Sequence, residues 1–177
     1  MKKFLVLLLL SAVTALYADV EVNFDYKAMS GFASNQFALW VENENGEVVK
    51  TLFVTDFTGV KRGYKKREQS LNNWVSIAKP GKMSDTEIDA ISGATPKSGV
   101  QHFAWDLTDN QGKKVPTGKY LIKLEATLYQ GSNAVYTGTI DLATAPASGP
   151  IEVALKRSEP DNPKNTSMIQ NVRMTMK

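Results

Sequence analysis

The residues in this chain best suited to chemistry lie in one run, Asp89-Ala90-Ile91-Ser92-Gly93-Ala94-Thr95, followed by Pro96-Lys97-Ser98-Gly99. Two hydroxyls, Ser92 and Thr95, flank residues of little bulk. Gly93 and Ala94 leave room for a reacting group to approach the main chain, and Pro96 biases Thr95 towards an extended backbone that carries its hydroxyl outward. Such a run places an exposed-looking hydroxyl on a loop of small residues. The same composition also serves a compact loop feeding a strand.

Little else in the chain offers catalysis. There is no cysteine and a single histidine, His102. Disulfides, thiolate metal sites, iron–sulfur clusters and c-type haem attachment are thereby excluded, and no metal site is expected. No nucleophile–base–acid order, phosphate-binding glycine loop or paired carboxylates stand out, which argues against an autonomous enzyme. A lone histidine is more often structural than catalytic. The basic run of Lys61, Arg62, Lys65, Lys66 and Arg67 is a candidate contact for an acidic partner, a phosphate or anionic lipid, with a solvated loop as the plainer alternative.

The scaffold must be delivered and built. Residues 1–18 open with Met1-Lys2-Lys3, continue through the apolar run 4–10 and end on small residues at Ala18, the pattern of a secretory signal peptide. The apolar run is too short to span a bilayer, and no cysteine follows it to carry a lipid. The expectation is therefore a periplasmic protein that does not span the membrane. Of 21 lysines and arginines two fall within 1–18, as do none of the 18 acids, so the net charge drops from +3 to +1. The basic balance thus comes partly from the export signal and does not point to nucleic acid.

Residues 19–177 read as a single domain. Residues 20–26 alternate apolar and polar with a period of two, the mark of a strand with one buried face. In 36–42, Phe37, Leu39 and Val41 share one face, with Ala38 and Trp40 on the other. Asn43-Glu44-Asn45-Gly46 then turns the chain into a second strand over 47–55, forming a hairpin. The strand pattern lapses over 56–82, where Leu71, Trp74, Val75 and Ala78 fall at helical spacing, so one short helical insertion is predicted. Residues 84–88 lead into the hydroxyl loop. Strands are expected at 101–107, at 119–128 with Tyr120, Ile122, Leu124, Ala126 and Leu128 facing the core, and at 134–142, 151–156 and 168–176. Trp40, Trp74 and Trp105 are assigned to the core. Short strands separated by turn signals make an all-β antiparallel sandwich.

Three resemblances add to this. The run Trp105-Asp106-Leu107-Thr108-Asp109, with Gly112, Val115-Pro116, Gly118 and Tyr120, resembles the signature of immunoglobulin-like domains, which implies an immunoglobulin-like β-sandwich and no chemistry. Phe53-Val54-Thr55-Asp56, the basic run, Leu71 with Trp74, and the stretches 89–99 and 105–120 are similar to a family of predicted periplasmic proteins of unknown function. That resemblance implies a setting beside periplasmic flavin transferases and PepSY-type membrane redox proteins. Finally, residues 89–95 resemble the motif at which flavin transferases attach FMN to threonine through a phosphoester. It implies Thr95 as acceptor, Ser92, Gly93 and Ala94 as the small approach, Asp89 as upstream recognition residue and Lys97 beside the phosphate. Pro96 and Lys97 stand where such carriers often place further hydroxyl residues. A chain without its own redox group would need an external one, and a covalent flavin is not lost by dilution. The alternative is a noncatalytic module that uses the same loop and basic run to dock a membrane redox partner.

Overall fold

The computed structural model describes residues 19–30, 35–67, 69–127, 133–157 and 163–177. Residues 1–18, read as the export signal, and Leu128 lie outside them.

The alternation at the start of the chain becomes strand β1 (Val20–Tyr26), with Val20, Val22, Phe24 and Tyr26 all buried. It is followed by β2 (Gln36–Asn43) and β3 (Val48–Thr55), the expected hairpin. The turn closes because Asn43 Oδ1 accepts from the backbone N–H groups of Asn45 and Glu47, while Gly46 takes a φ of 76°. Two helices then precede the sheet again: α1 (Asn72–Ala78) and α2 (Asp85–Ile91). The stretch 56–82 therefore holds the one α-helix expected there, and a second, unexpected one follows it at Asp85–Ile91. Residues 84–88 do not simply lead into a loop: Ser84 Oγ accepts from Glu87 N at 3.2 Å while Glu87 Oε2 accepts from Ser84 N at 2.7 Å, a reciprocal cap that starts α2.

The remaining elements are β4 (Ser92–Gly93), β5 (Gly99–Trp105), β6 (Lys119–Thr127), β7 (Ala134–Asp141), β8 (Gly149–Ile151), β9 (Val153–Arg157), helix α3 (Pro163–Met168) and β10 (Ile169–Met176). β5 ends two residues earlier than its sequence pattern because Leu107 adopts a φ of 55°, outside the range a strand allows. Two sheets result, one ordered β5-β1-β10-β8 and one ordered β4-β3-β2-β6-β7-β9. Their facing sides enclose the main core, in which Phe37 sits at the centre of ring contacts with Phe24, Tyr26, Phe53 and Phe103. This is the all-β sandwich. At one end Trp105 is fully buried against Tyr120, its indole N–H donating to Thr108 O at 2.9 Å and the Tyr120 hydroxyl donating to Pro116 O at 2.8 Å.

The six-stranded sheet is covered on its other side too. Ala38, Trp40 and Val54 pack there against Leu71, Trp74 and Ile88 of the insertion, which explains why β2 is buried on both faces. In the four-stranded sheet β10 lies between β1 and β8, and the ladder continues beyond it through paired backbone bonds between Asp19 and Lys177.

Candidate functional site

The run 89–95 is divided among three kinds of structure. Asp89, Ala90 and Ile91 form the last turn of α2, so the first part is helical and only 94–98 is loop. Ser92 and Gly93 form β4, which pairs in parallel with Val54 and Thr55. Two close packings fix this short strand. A side chain on Gly93 would place Cβ 2.5 Å from the Phe53 ring, and one on Gly59 would place Cβ 2.0 Å from Ser92 Oγ. Residues with no Cβ are thus required on both sides of the strand.

The two hydroxyls have different surroundings. Ser92 Oγ donates to Ile88 O at 2.6 Å and is half-buried. Thr95 is exposed, and among the described residues its hydroxyl takes no hydrogen bond. The span that presents it is held at both ends: Asp56 N donates to Gly93 O at 2.8 Å, and Ala28 N donates to Ser98 Oγ at 2.9 Å. Gln101 Nε2 also donates to Lys97 O at 3.2 Å. Asp89, Ala94 and Lys97 are exposed. Asp89 projects from a helix end that β4 separates from Thr95, and its backbone oxygen accepts from Ser92 N. The arrangement offers, on a tethered loop, an exposed hydroxyl without a hydrogen bond, with exposed Lys97 two residues along the chain and no general base bonded to it among the described residues.

The basic run does not act as one patch. Arg62 Nη2 meets Asp85 Oδ1 at 2.9 Å, a contact that raises the guanidinium pKa further, and Arg62 Nη1 donates to Pro80 O at 3.4 Å. Arg67 lies 5.2 Å from the centre of the Phe57 ring. Both arginines therefore tie the insertion together, leaving Lys61, Lys65 and Lys66 as the exposed cations of the run. His102 Nδ1 is 2.8 Å from Asn23 Oδ1 on the outer side of the four-stranded sheet.

The most heavily partnered acid among the described residues has no signal in the sequence. Glu125 on β6 is fully buried. Its Oε2 accepts from Trp74 N at 2.9 Å, and its Oε1 from Asn73 N at 3.3 Å, Asn73 Nδ2 at 2.8 Å and Asn133 Nδ2 at 2.7 Å. Leu71, at the start of α1, supplies no side-chain cap, so a carboxylate from the sheet below satisfies the helix's first N–H groups. Burial drives the Glu125 pKa up, and these four donors oppose that rise. Beside it on the same face, Trp40 Nε1 donates to Glu42 Oε1 at 2.7 Å and Lys123 Nζ to Glu42 Oε2 at 2.6 Å.

No helix among the described residues is long and apolar enough to cross a membrane. A family model described as "Predicted periplasmic protein (DUF2271)" matches residues 18–157. No curated protein and no solved structure matches. The matched segment takes in β1 to β9, the insertion and the hydroxyl loop, and stops short of β10.

Proposed function

The chain belongs to this family of predicted periplasmic proteins of unknown function, and from that premise we propose that it serves extracytoplasmic electron transfer by carrying FMN covalently on Thr95. The observation that supports this is the exposure of Thr95 on a span tethered at Gly93 and Ser98, while the neighbouring Ser92 hydroxyl is occupied by Ile88 O. A flavin transferase must reach the acceptor from outside, and only Thr95 of the two hydroxyls is open to it.

In the transfer, Thr95 Oγ attacks the flavin-side phosphorus of a dinucleotide donor. The Oγ–P bond forms, the phosphoanhydride bond breaks, a nucleoside monophosphate leaves, and the hydroxyl proton passes to a base of the transferase. This chain contributes the hydroxyl, the low bulk of Gly93 and Ala94 on the approach side, and Lys97 as an exposed cation near the new phosphodiester. Asp89 serves as a recognition residue for the transferase. The flavin, once attached, supplies the redox group that a chain without cysteine lacks. The immunoglobulin-like signature around Trp105 acts as scaffold, and a PepSY-type membrane protein is the expected electron-transfer partner.

Coexpression with a periplasmic flavin transferase tests this. The purified protein should give a fluorescent band on a denaturing gel and a mass increase equal to one FMN less one water. Thr95→Ala should lose both while unfolding at the same temperature. An unlabelled wild-type protein, or a Thr95→Ala variant that still fluoresces, would falsify the carrier role. If an unlabelled protein copurifies with a membrane redox protein through Lys61, Lys65 and Lys66, the docking module takes its place.

A further inference from the structure

The sheet edges of this molecule differ in how they are protected. Among the described residues the two sheets end at β5, β8, β4 and β9. β4 has two residues, β8 has three including Pro150, and β9 carries Lys156 and Arg157. Short length, proline and edge cations all hinder the addition of a further strand. β5 has none of these guards. Its run Gly99-Val100-Gln101-His102-Phe103-Ala104-Trp105 includes no proline and no Asp, Glu, Lys or Arg. It follows β1 from Tyr26↔Gly99 to Val20↔Trp105 without a bulge.

The far side of β5 is also open. Its one strand partner is β1, and among the described residues no other main-chain group bonds to the backbone of 99–105. An edge strand leaves the N–H and C=O of every second residue facing outwards. The connections at its two ends turn towards the other sheet: Gly93 O accepts from Asp56 N before the strand, and Asn110 N donates to Val49 O after it. Val100 on the outer face is 73% exposed, more than any other large apolar side chain among the described residues.

The sequence of this edge is complementary to itself. Laid antiparallel over their full length, two β5 strands meet about a two-fold axis at His102, the midpoint of 99–105. Gly99 of one copy then stands opposite Trp105 of the other, and Val100 opposite Ala104, so towards each end a large side chain meets a small one. Gln101 stands opposite Phe103. Even-numbered residues stay on the outer face and odd-numbered ones on the core side, so the pleat continues across the junction. No Asp, Glu, Lys or Arg is set against its own kind. Alternate pairs exchanging two main-chain bonds over this length give about six to eight hydrogen bonds, within the range for a specific interface.

We infer that the protein forms a homodimer by antiparallel pairing of β5 with β5 of a second copy, joining two four-stranded sheets into one continuous sheet. The pairing does not depend on the reading of Thr95, since the two hydroxyl loops lie at opposite ends of the shared ribbon.

The absence of cysteine makes the register directly testable. His102→Cys sets a thiol opposite its own copy, with Cα atoms about 4.5–5.5 Å apart, inside the span a disulfide bridges. Ala104→Cys sets the two thiols about 14 Å apart along the ribbon. Both positions, and Val100, are exposed. Under copper–phenanthroline oxidation, His102→Cys should give a covalent dimer on a nonreducing gel about tenfold faster or more than Ala104→Cys. Sedimentation equilibrium across the micromolar range should return twice the chain mass for the wild type. Val100→Lys, which adds an edge cation, should bring that mass towards a single chain with an unchanged unfolding temperature. A wild type of single-chain mass, equal crosslinking of the two cysteine variants, or a dimer unmoved by Val100→Lys overturns the proposal.

Discussion

Glu125→Ala is the substitution from which the fold should suffer most for the fewest atoms removed. It deletes the acceptor for Trp74 N–H, Asn73 N–H and the Nδ2 groups of Asn73 and Asn133. The donors of Trp74 and Asn133 are buried and would be left with less to bond, each at a cost of about 1–3 kcal/mol. Asn73 is exposed and can turn to water. The expected loss is therefore about 3–5 kcal/mol, in the range found when one partner of a buried charged network is removed. The loss should also depend on pH. Burial raises the Glu125 pKa above its unfolded value, so the folded protein binds more protons in that interval, and the group's stabilisation is fully present below the ordinary carboxylate range and declines as pH rises through the raised value. Urea unfolding of both proteins, followed by tryptophan fluorescence from pH 4.5 to 8, measures the gap. It should be widest at the acid end and narrow with rising pH. A gap under about 1 kcal/mol throughout would show that Glu125 does not hold α1 to the sheet. A gap that grows with pH would show that the four donors, and not burial, dominate its ionisation.

Two further substitutions bear on the scaffold of the hydroxyl loop and of the Trp105 corner. Gly93→Ala places a methyl 2.5 Å from the Phe53 ring, itself stacked on Phe37 at 4.9 Å, so the variant should lose about 1–3 kcal/mol in thermal unfolding; an unchanged midpoint would show that β4 is not seated on Phe53. Asp106 is pushed up by desolvation, but hydrogen bonds from Lys50 and Thr108 outweigh this and bring its pKa down to about 2. Its contribution is thus present above the ordinary aspartate range and lost as pH falls towards about 2. Because the side chain is largely exposed, Asp106→Asn should cost under about 1 kcal/mol at neutral pH and flatten the acid limb of the stability profile; an acid limb identical to wild type would refute the Lys50–Asp106 contribution.

The sandwich was legible where burial follows a local period. Val20, Val22, Phe24 and Tyr26 alternate because one side of β1 faces the core, and β2 is apolar at every position from Phe37 to Val41 because the insertion covers its second face. Helix α2 was hidden although its Ser84 and Glu87 cap stood in the sequence, since only Ile88 of its seven residues is buried and no apolar stripe forms. The strand pattern that began at Met168 starts one residue later, as β10 at Ile169, because Met168 closes helix α3. A two-residue parallel strand such as β4 has no period to detect, so the division of 89–95 among helix, strand and loop could not be read locally. Glu125 shows the same limit at a single residue. Between Leu124 and Ala126 it occupies a position that alternation assigns to solvent, and only the packing of α1 over that face turns it into a buried cap.

The place of β10 between β1 and β8 bears on the order in which the molecule can form. Pairing Val20 with Met176 closes a segment roughly ten times longer than pairing Ala38 with Val54 in the hairpin, and loop entropy makes that closure costlier by ~2 kcal/mol. The hairpin and its continuation into β6 and β7 can therefore assemble early, while the four-stranded sheet waits for residues 169–176. Before then β1 has only β5 as a paired neighbour in its own sheet. The core enclosed between the two sheets therefore cannot close fully until β10, which lies beyond the family match, has been placed against β1.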